Sequence, residues 1–194
     1  MLFPLISGFS LLGPLVAIGF YELSRRREQG LDASWRQVFG ILDARSLWSI
    51  IALGLMLMII FIAWLEAAQI IYTNQFGERS PTSLQAFAAK VLTTPEGWRM
   101  IVIGNLVGFV FAAAVFAISV VSFPLLLDRN VGAAAAAITS VRAVIANPVV
   151  MGAWALLIAA ALFVGSIPFF FGLAVVVPIL GHASWHLYRK VVVR

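Results

Sequence analysis

The chain has no cysteine and only two histidines in 194 residues. That excludes a disulfide framework, a thiolate metal or iron–sulfur centre and a cysteine nucleophile, and it restricts any haem or metal site to few protein ligands. Charge is equally scarce. Asp, Glu, Lys and Arg make up 11% of the residues, whereas soluble domains carry roughly a quarter. What fills the chain is apolar: 62% of residues are hydrophobic and the mean hydropathy is +1.04. Too little polar surface exists to cover such a chain in water, so lipid must be its solvent over most of its length. No Walker loop, dinucleotide glycine fingerprint, zinc-protease helix or nucleophile elbow occurs, so nothing positive points to an enzyme.

A membrane-spanning helix needs about 20 apolar residues at 1.5 Å each. The pattern predicts an all-α bundle in one integral membrane domain over 1–194, with spans at about 2–23, 47–72, 98–127, 149–165 and 168–190. The last two divide a 42-residue run that would reach about 63 Å as one helix. The breaker Gly165-Ser166-Ile167-Pro168 predicts a hairpin between them. The first span starts almost at the first residue, without a basic leader or a convincing cleavage site. It reads as an uncleaved span.

Lys and Arg set the expected orientation. Arg25, Arg26, Arg27, Arg36, Arg45, Arg129, Arg142, Arg189, Lys190 and Arg194 fall on one side, against Arg79, Lys90 and Arg99 on the other. This bias predicts the N-terminus outside and the C-terminus in the cytoplasm. The odd span count fits a further helix upstream. The same clustering beside apolar runs accounts for the net charge of +5 through lipid head groups, and it argues against nucleic acid as a partner.

Three connecting segments are amphipathic and are expected to lie at the membrane surface. Leu31–Leu42 stripes Leu31, Trp35, Val38, Phe39 and Leu42. Residues 131–145 stripe Val131, Ile138, Val141 and Ile145. Residues 83–92 stripe Leu84, Phe87 and Val91, after the breaker Pro81. Weak repetition accompanies them. Pro14 is followed by Tyr21, Leu23, Arg25 and Arg26, and Pro178 by Trp185, Leu187, Arg189 and Lys190 at the same offsets. Duplicated hairpin units would produce this, but basic ends on apolar helices also arise independently.

Certain longer motifs resemble a known family. They are Thr94-Pro95-Glu96-Gly97-Trp98, Gly104-Asn105-Leu106-Val107-Gly108, Ser122-Phe123-Pro124-Leu125-Leu126-Leu127-Asp128-Arg129, Ser140-Val141-Arg142-Ala143-Val144 with Asn147-Pro148, and the C-terminal stretch from Pro178 to Arg189. In combination they resemble an uncharacterised family of mainly proteobacterial integral membrane proteins. Some members of it carry a provisional cytochrome c oxidase label. The resemblance implies a bacterial inner-membrane protein and an association with the respiratory chain, but brings no agreed catalytic or cofactor residue.

Four features are candidate site residues. His182 and His186 share a helix face at i and i+4. They can bind one zinc or copper ion only with further ligands, and cannot both ligate one haem iron, whose axial ligands approach from opposite faces. The simpler reading is a polar pair beside the Trp185 and Tyr188 interfacial aromatics, with no cofactor. Glu66 is a carboxylate inside a span, and an intramembrane acid is a functional hypothesis in itself. Asn105 sits at a matching depth on the neighbouring span, so a Glu66–Asn105 structural clamp competes with a proton path. Gly104 and Gly108, continued by Ala112, form a small-residue face for helix packing, within the chain or against another subunit.

The sequence therefore leads to a non-catalytic integral membrane protein. It is expected to be an accessory or assembly subunit of a larger membrane complex, with lipids and other membrane subunits as partners. A small transporter or channel is the alternative, and a haem or copper handling protein a weaker one.

Overall fold

The computed structural model describes residues 17–34, 46–77, 83–167 and 171–192. The helices, in chain order, are α1 Ile18–Glu28, α2 Leu47–Phe76, α3 Leu84–Thr93, α4 Pro95–Ser119, α5 Ser122–Asp128, α6 Ala133–Ala146, α7 Pro148–Ser166 and α8 Leu173–Val192. No strand occurs among the described residues. The chain divides into two compact units. One contains 57–115, and the other holds the described residues of 13–56 and 116–194.

Three stretches among the described residues are long and apolar enough to cross a membrane: α2, α4 continued by α5 over Pro95–Asp128, and α7. At 30 residues α2 reaches about 45 Å, longer than the roughly 30 Å hydrocarbon layer. The expected first span lies largely outside the described residues. The expected fifth forms helix α8, but its second half carries His182, His186, Arg189 and Lys190. Those polar residues make it less apolar than the other three, so three of the five expected spans meet the length and apolarity of a membrane crossing among the described residues. Between α7 and α8 the chain does break, with one helix ending at Ser166 and the next starting at Leu173.

In the first unit, residue chemistry at the caps explains the short elements. Ser83 caps α3 by accepting from the Ala86 amide at 3.1 Å. Thr94 does the same for α4 through the Gly97 amide, with Pro95 and Glu96 in the first turn. Phe87 of α3 packs in an aromatic cluster with Tyr72 and Phe76, and the Lys90 ammonium lies 4.6 Å from the Phe76 ring centre. The expected α3 stripe is thus only partly used, since Leu84 is exposed.

The second unit is organised around the break between α4 and α5, within the membrane stretch Pro95–Asp128. Pro124 has no amide hydrogen and its ring collides with the carbonyl four residues back, at Val120. The helix interrupts there, at Val120–Val121. The Val121 amide finds a substitute acceptor in the Ser140 hydroxyl of α6, at 3.1 Å and fully buried. α5 and α6 consequently form an antiparallel hairpin. Here the expected face of α6 is reversed: Ala136, Ser140 and Ala143 are buried, whereas Ile138 and Ile145 of the predicted stripe are exposed. Small side chains let α6 come close enough for Ser140 to reach the broken backbone, which outweighs burying branched residues where the outer surroundings are themselves apolar. The corresponding expectation for 31–42 falls mostly outside the described residues.

Ser140→Ala should leave the Val121 amide buried without an acceptor, a loss of about 1–3 kcal/mol. Thermal unfolding in detergent should show a lower midpoint than for Ala136→Ser, which adds a hydroxyl on the same face without removing one.

Candidate functional site

A charge beside lipid is stable only when paired, and the second unit gathers its acids and bases at one end of three helices. Glu22 of α1 is buried and accepts from both Arg25 nitrogens at 2.7 Å and from Arg26 Nε at 2.7 Å. This carboxylate holds the Arg25 guanidinium above its ordinary pKa despite partial burial, and Asp128 adds in the same direction. Glu28 bridges to α8: one oxygen accepts from Trp185 Nε1 and the other from Arg189 Nε, both at 3.0 Å. Asp128, the last residue of α5, accepts from the Tyr188 hydroxyl at 2.7 Å, with the Arg189 guanidinium 3.6 Å away. Trp185 and Tyr188 are fully buried and their rings lie 5.4 Å apart.

The order of these contacts fixes the direction of the helices. Phe20 meets Gly181, Ser24 meets His182, and Glu28 meets Trp185 and Arg189. The pairs advance together, so α1 and α8 run parallel. The close crossing needs glycine at 181, where a Cβ would stand 2.6 Å from that of Phe20. α1 then stops in a Schellman turn. Gly30 takes a positive φ of 68°, and the Leu31 amide bonds the Arg26 carbonyl at 2.9 Å.

His182 belongs to this junction. The Ser24 hydroxyl stands 2.5 Å from His182 Nδ1 and 2.9 Å from the Phe20 carbonyl, and the imidazole tautomer sets which of the two accepts its proton. That leaves Nε2 as the remaining polar atom of the ring. His182 also lines a cleft of about 330 Å³ with Phe20, Leu23, Arg27, Ala33 and Pro178. His186, one turn on, is exposed. Among the described residues no group of three or more His, Cys, Asp or Glu is placed to hold a metal ion.

The remaining sequence candidates are placed as follows. Glu66 and Asn105 are both exposed, and Asn105 Nδ2 donates to its own helix at Ile101, 2.8 Å away. No Glu66–Asn105 hydrogen bond occurs among the described residues, where the Asn105 amide instead has an acceptor one turn back. The small-residue face divides. A Cβ on Gly108 would lie 3.2 Å from the Trp64 indole, so Gly108 packs within the chain, while Gly104 has open space and Ala112 is exposed. The acids Glu22, Glu28 and Asp128, with Ser24, Tyr188 and Ser140, carry the charge pairing and the hydrogen bonds between helices in this unit, roles that the sequence reading does not assign to them. Glu22 was discoverable from its i,i+3 and i,i+4 spacing to Arg25 and Arg26. Asp128–Tyr188 leaves no local signal.

Apolar helices of membrane length with their charges drawn into one paired junction define an integral membrane protein. A family model described as "Predicted integral membrane protein (DUF2189)" matches residues 2–128, and the chain belongs to this family. No curated protein and no solved structure matches it.

Glu22→Gln removes a buried carboxylate shared by two guanidinium groups and should destabilise by about 3 kcal/mol. Glu28→Gln, at a more exposed position, should cost under about 1 kcal/mol. Thermal unfolding midpoints in one detergent should rank the variants in that order.

Proposed function

We propose that this protein is a non-catalytic accessory or assembly component of a larger membrane complex of the bacterial inner membrane. One observation carries this reading. The membrane helices spend little of their surface on each other: the most apolar windows of α2, α4–α5 and α7 are 22%, 33% and 11% buried. Lipid can cover such surfaces, but small residues left open on them favour another helix. Gly104 and Ala112 are two such residues on α4. The respiratory oxidase is the favoured complex, on the label carried by some members of the family that the sequence motifs resemble.

The proposed topology has five spans, with the N-terminus outside and the basic helix ends in the cytoplasm. It is supported by the parallel course of α1 and α8 and by the arrival of α5 at the same end, as the Lys/Arg bias requires. The chain has no native cysteine, so cysteines placed singly at Gly77 and Asn130 can be labelled without background. They should react from opposite sides of intact spheroplasts, and reaction from one side would overturn the topology.

The complex is tested by purifying the tagged chain in mild detergent from its native membrane. Defined membrane subunits should accompany it in fixed ratio, and a chain that emerges alone would overturn the proposal. Gly104→Leu should keep the unfolding midpoint and lose those subunits. Gly108→Leu should instead destabilise the chain by about 1–3 kcal/mol, by overpacking Trp64. A Soret band belonging to the chain by itself would favour haem handling.

A further inference from the structure

We propose that the cleft between α1 and α8 binds the phosphate head group of an anionic phospholipid. Arg25 and Arg26 of the basic run are committed to Glu22. Arg27 makes no ion pair among the described residues, and it lines the cleft with His182, whose Nδ1 is held by Ser24 and whose other ring nitrogen is Nε2. A guanidinium and an imidazole therefore converge on one space. Among the described residues no carboxylate lines the cleft, and the acids of α1 are paired elsewhere: Glu22 with Arg25 and Arg26, and Glu28 with Trp185 and Arg189. The site thus keeps uncompensated positive charge, which selects an anion. Phosphate oxygens match a guanidinium and, in the tautomer whose Nδ1 accepts from the Ser24 hydroxyl, the imidazole Nε2–H.

The rest of the lining selects a lipid over a free anion. Phe20, Leu23 and Pro178 form apolar walls on the membrane side of Arg27, along the axes of α1 and α8. A volume of about 330 Å³ stands at the lower end of ligand pockets, enough for a head group with its acyl chains lying outside along the apolar helices. Basic pockets at the ends of membrane helices are suited to such head groups. The inference is independent of the proposed complex, because it concerns only the chain's own cleft.

The test is native mass spectrometry of the full chain released from phosphatidylcholine nanodiscs doped with phosphatidylglycerol. Phosphatidylglycerol should be retained above its share of the bilayer. Arg27→Ala should reduce that retention roughly fivefold, the effect of one basic residue at an anionic surface. Lys190→Ala, which removes an exposed charge at the same end without touching the cleft, should leave retention unchanged. Ala33→Trp fills the cleft while keeping every charge, and should also expel the lipid. Equal retention of the two lipids, or an equal loss in Lys190→Ala, would overturn the proposal in favour of diffuse attraction. Full displacement by millimolar inorganic phosphate would overturn the lipid assignment and leave a free-anion site. Unfolding midpoints of the variants, matched to the parent, establish that the fold is intact.

Discussion

The structure depends on where a lipid-dissolved chain can put its charges. With hydration unavailable along the helices, an ionised side chain must meet its counter-ion at the boundary or be neutralised. Three acids, Glu22, Glu28 and Asp128, perform that task at one end of α1, α5 and α8. Their partners come from distant parts of the chain. Glu28 reaches Trp185 and Arg189, and Asp128 reaches Tyr188, so the junction ties the first described helix to the last. A buried ion pair is weak evidence of net stability. Its stronger effect here is on specificity, because apolar helices slide on one another at little cost, while a register that strands Glu22 or Asp128 does not survive.

Backbone polarity imposes the same rule at the break after α4. Pro124 frees backbone groups that lipid cannot satisfy. Ser140 resolves part of this by offering its hydroxyl to the Val121 amide. The face of α6 follows from that requirement. Sequence periodicity alone assigns the branched residues of a surface helix to its buried side, and this assumption holds only when water is the alternative. Against lipid, Ile138 and Ile145 gain nothing by turning inward, and the small residues Ala136 and Ala143 win the contact.

The same reasoning explains what could be read from the chain and what could not. Helices, the breaker before Pro168, the Ser83 region and the basic ends are local properties of composition and spacing, and they were legible. Glu22 is equally local, since its i,i+3 and i,i+4 spacing to Arg25 and Arg26 places all three on one helix face. The Trp185–Glu28 and Tyr188–Asp128 bonds join residues 157 and 60 positions apart, with no periodic trace. Glu66 and Asn105 invited pairing because their depths match. Depth does not specify the helix face, and an asparagine in a helix has an acceptor of its own at i−4. His182 stands out in the sequence through its spacing to His186, whereas its contact in the structure is Ser24 on α1, 158 positions away.

The crossing of α1 and α8 connects these features. Gly181 lets the helices touch, which brings Ser24 onto His182 and Glu28 onto Trp185. One turn earlier Pro178 cannot donate to the carbonyl of Ala174, and a proline inside a helix bends it. The helices are in contact at Gly181, and Pro178 lines the adjoining cleft together with Phe20 and Leu23 of α1. Close approach and opening are consecutive turns of one helix. The close approach at Gly181 accompanies the pairing of Arg189 with Glu28, while Arg27 is left beside the cleft that Pro178 lines, so the paired charges of this end and Arg27 fall on different parts of one crossing.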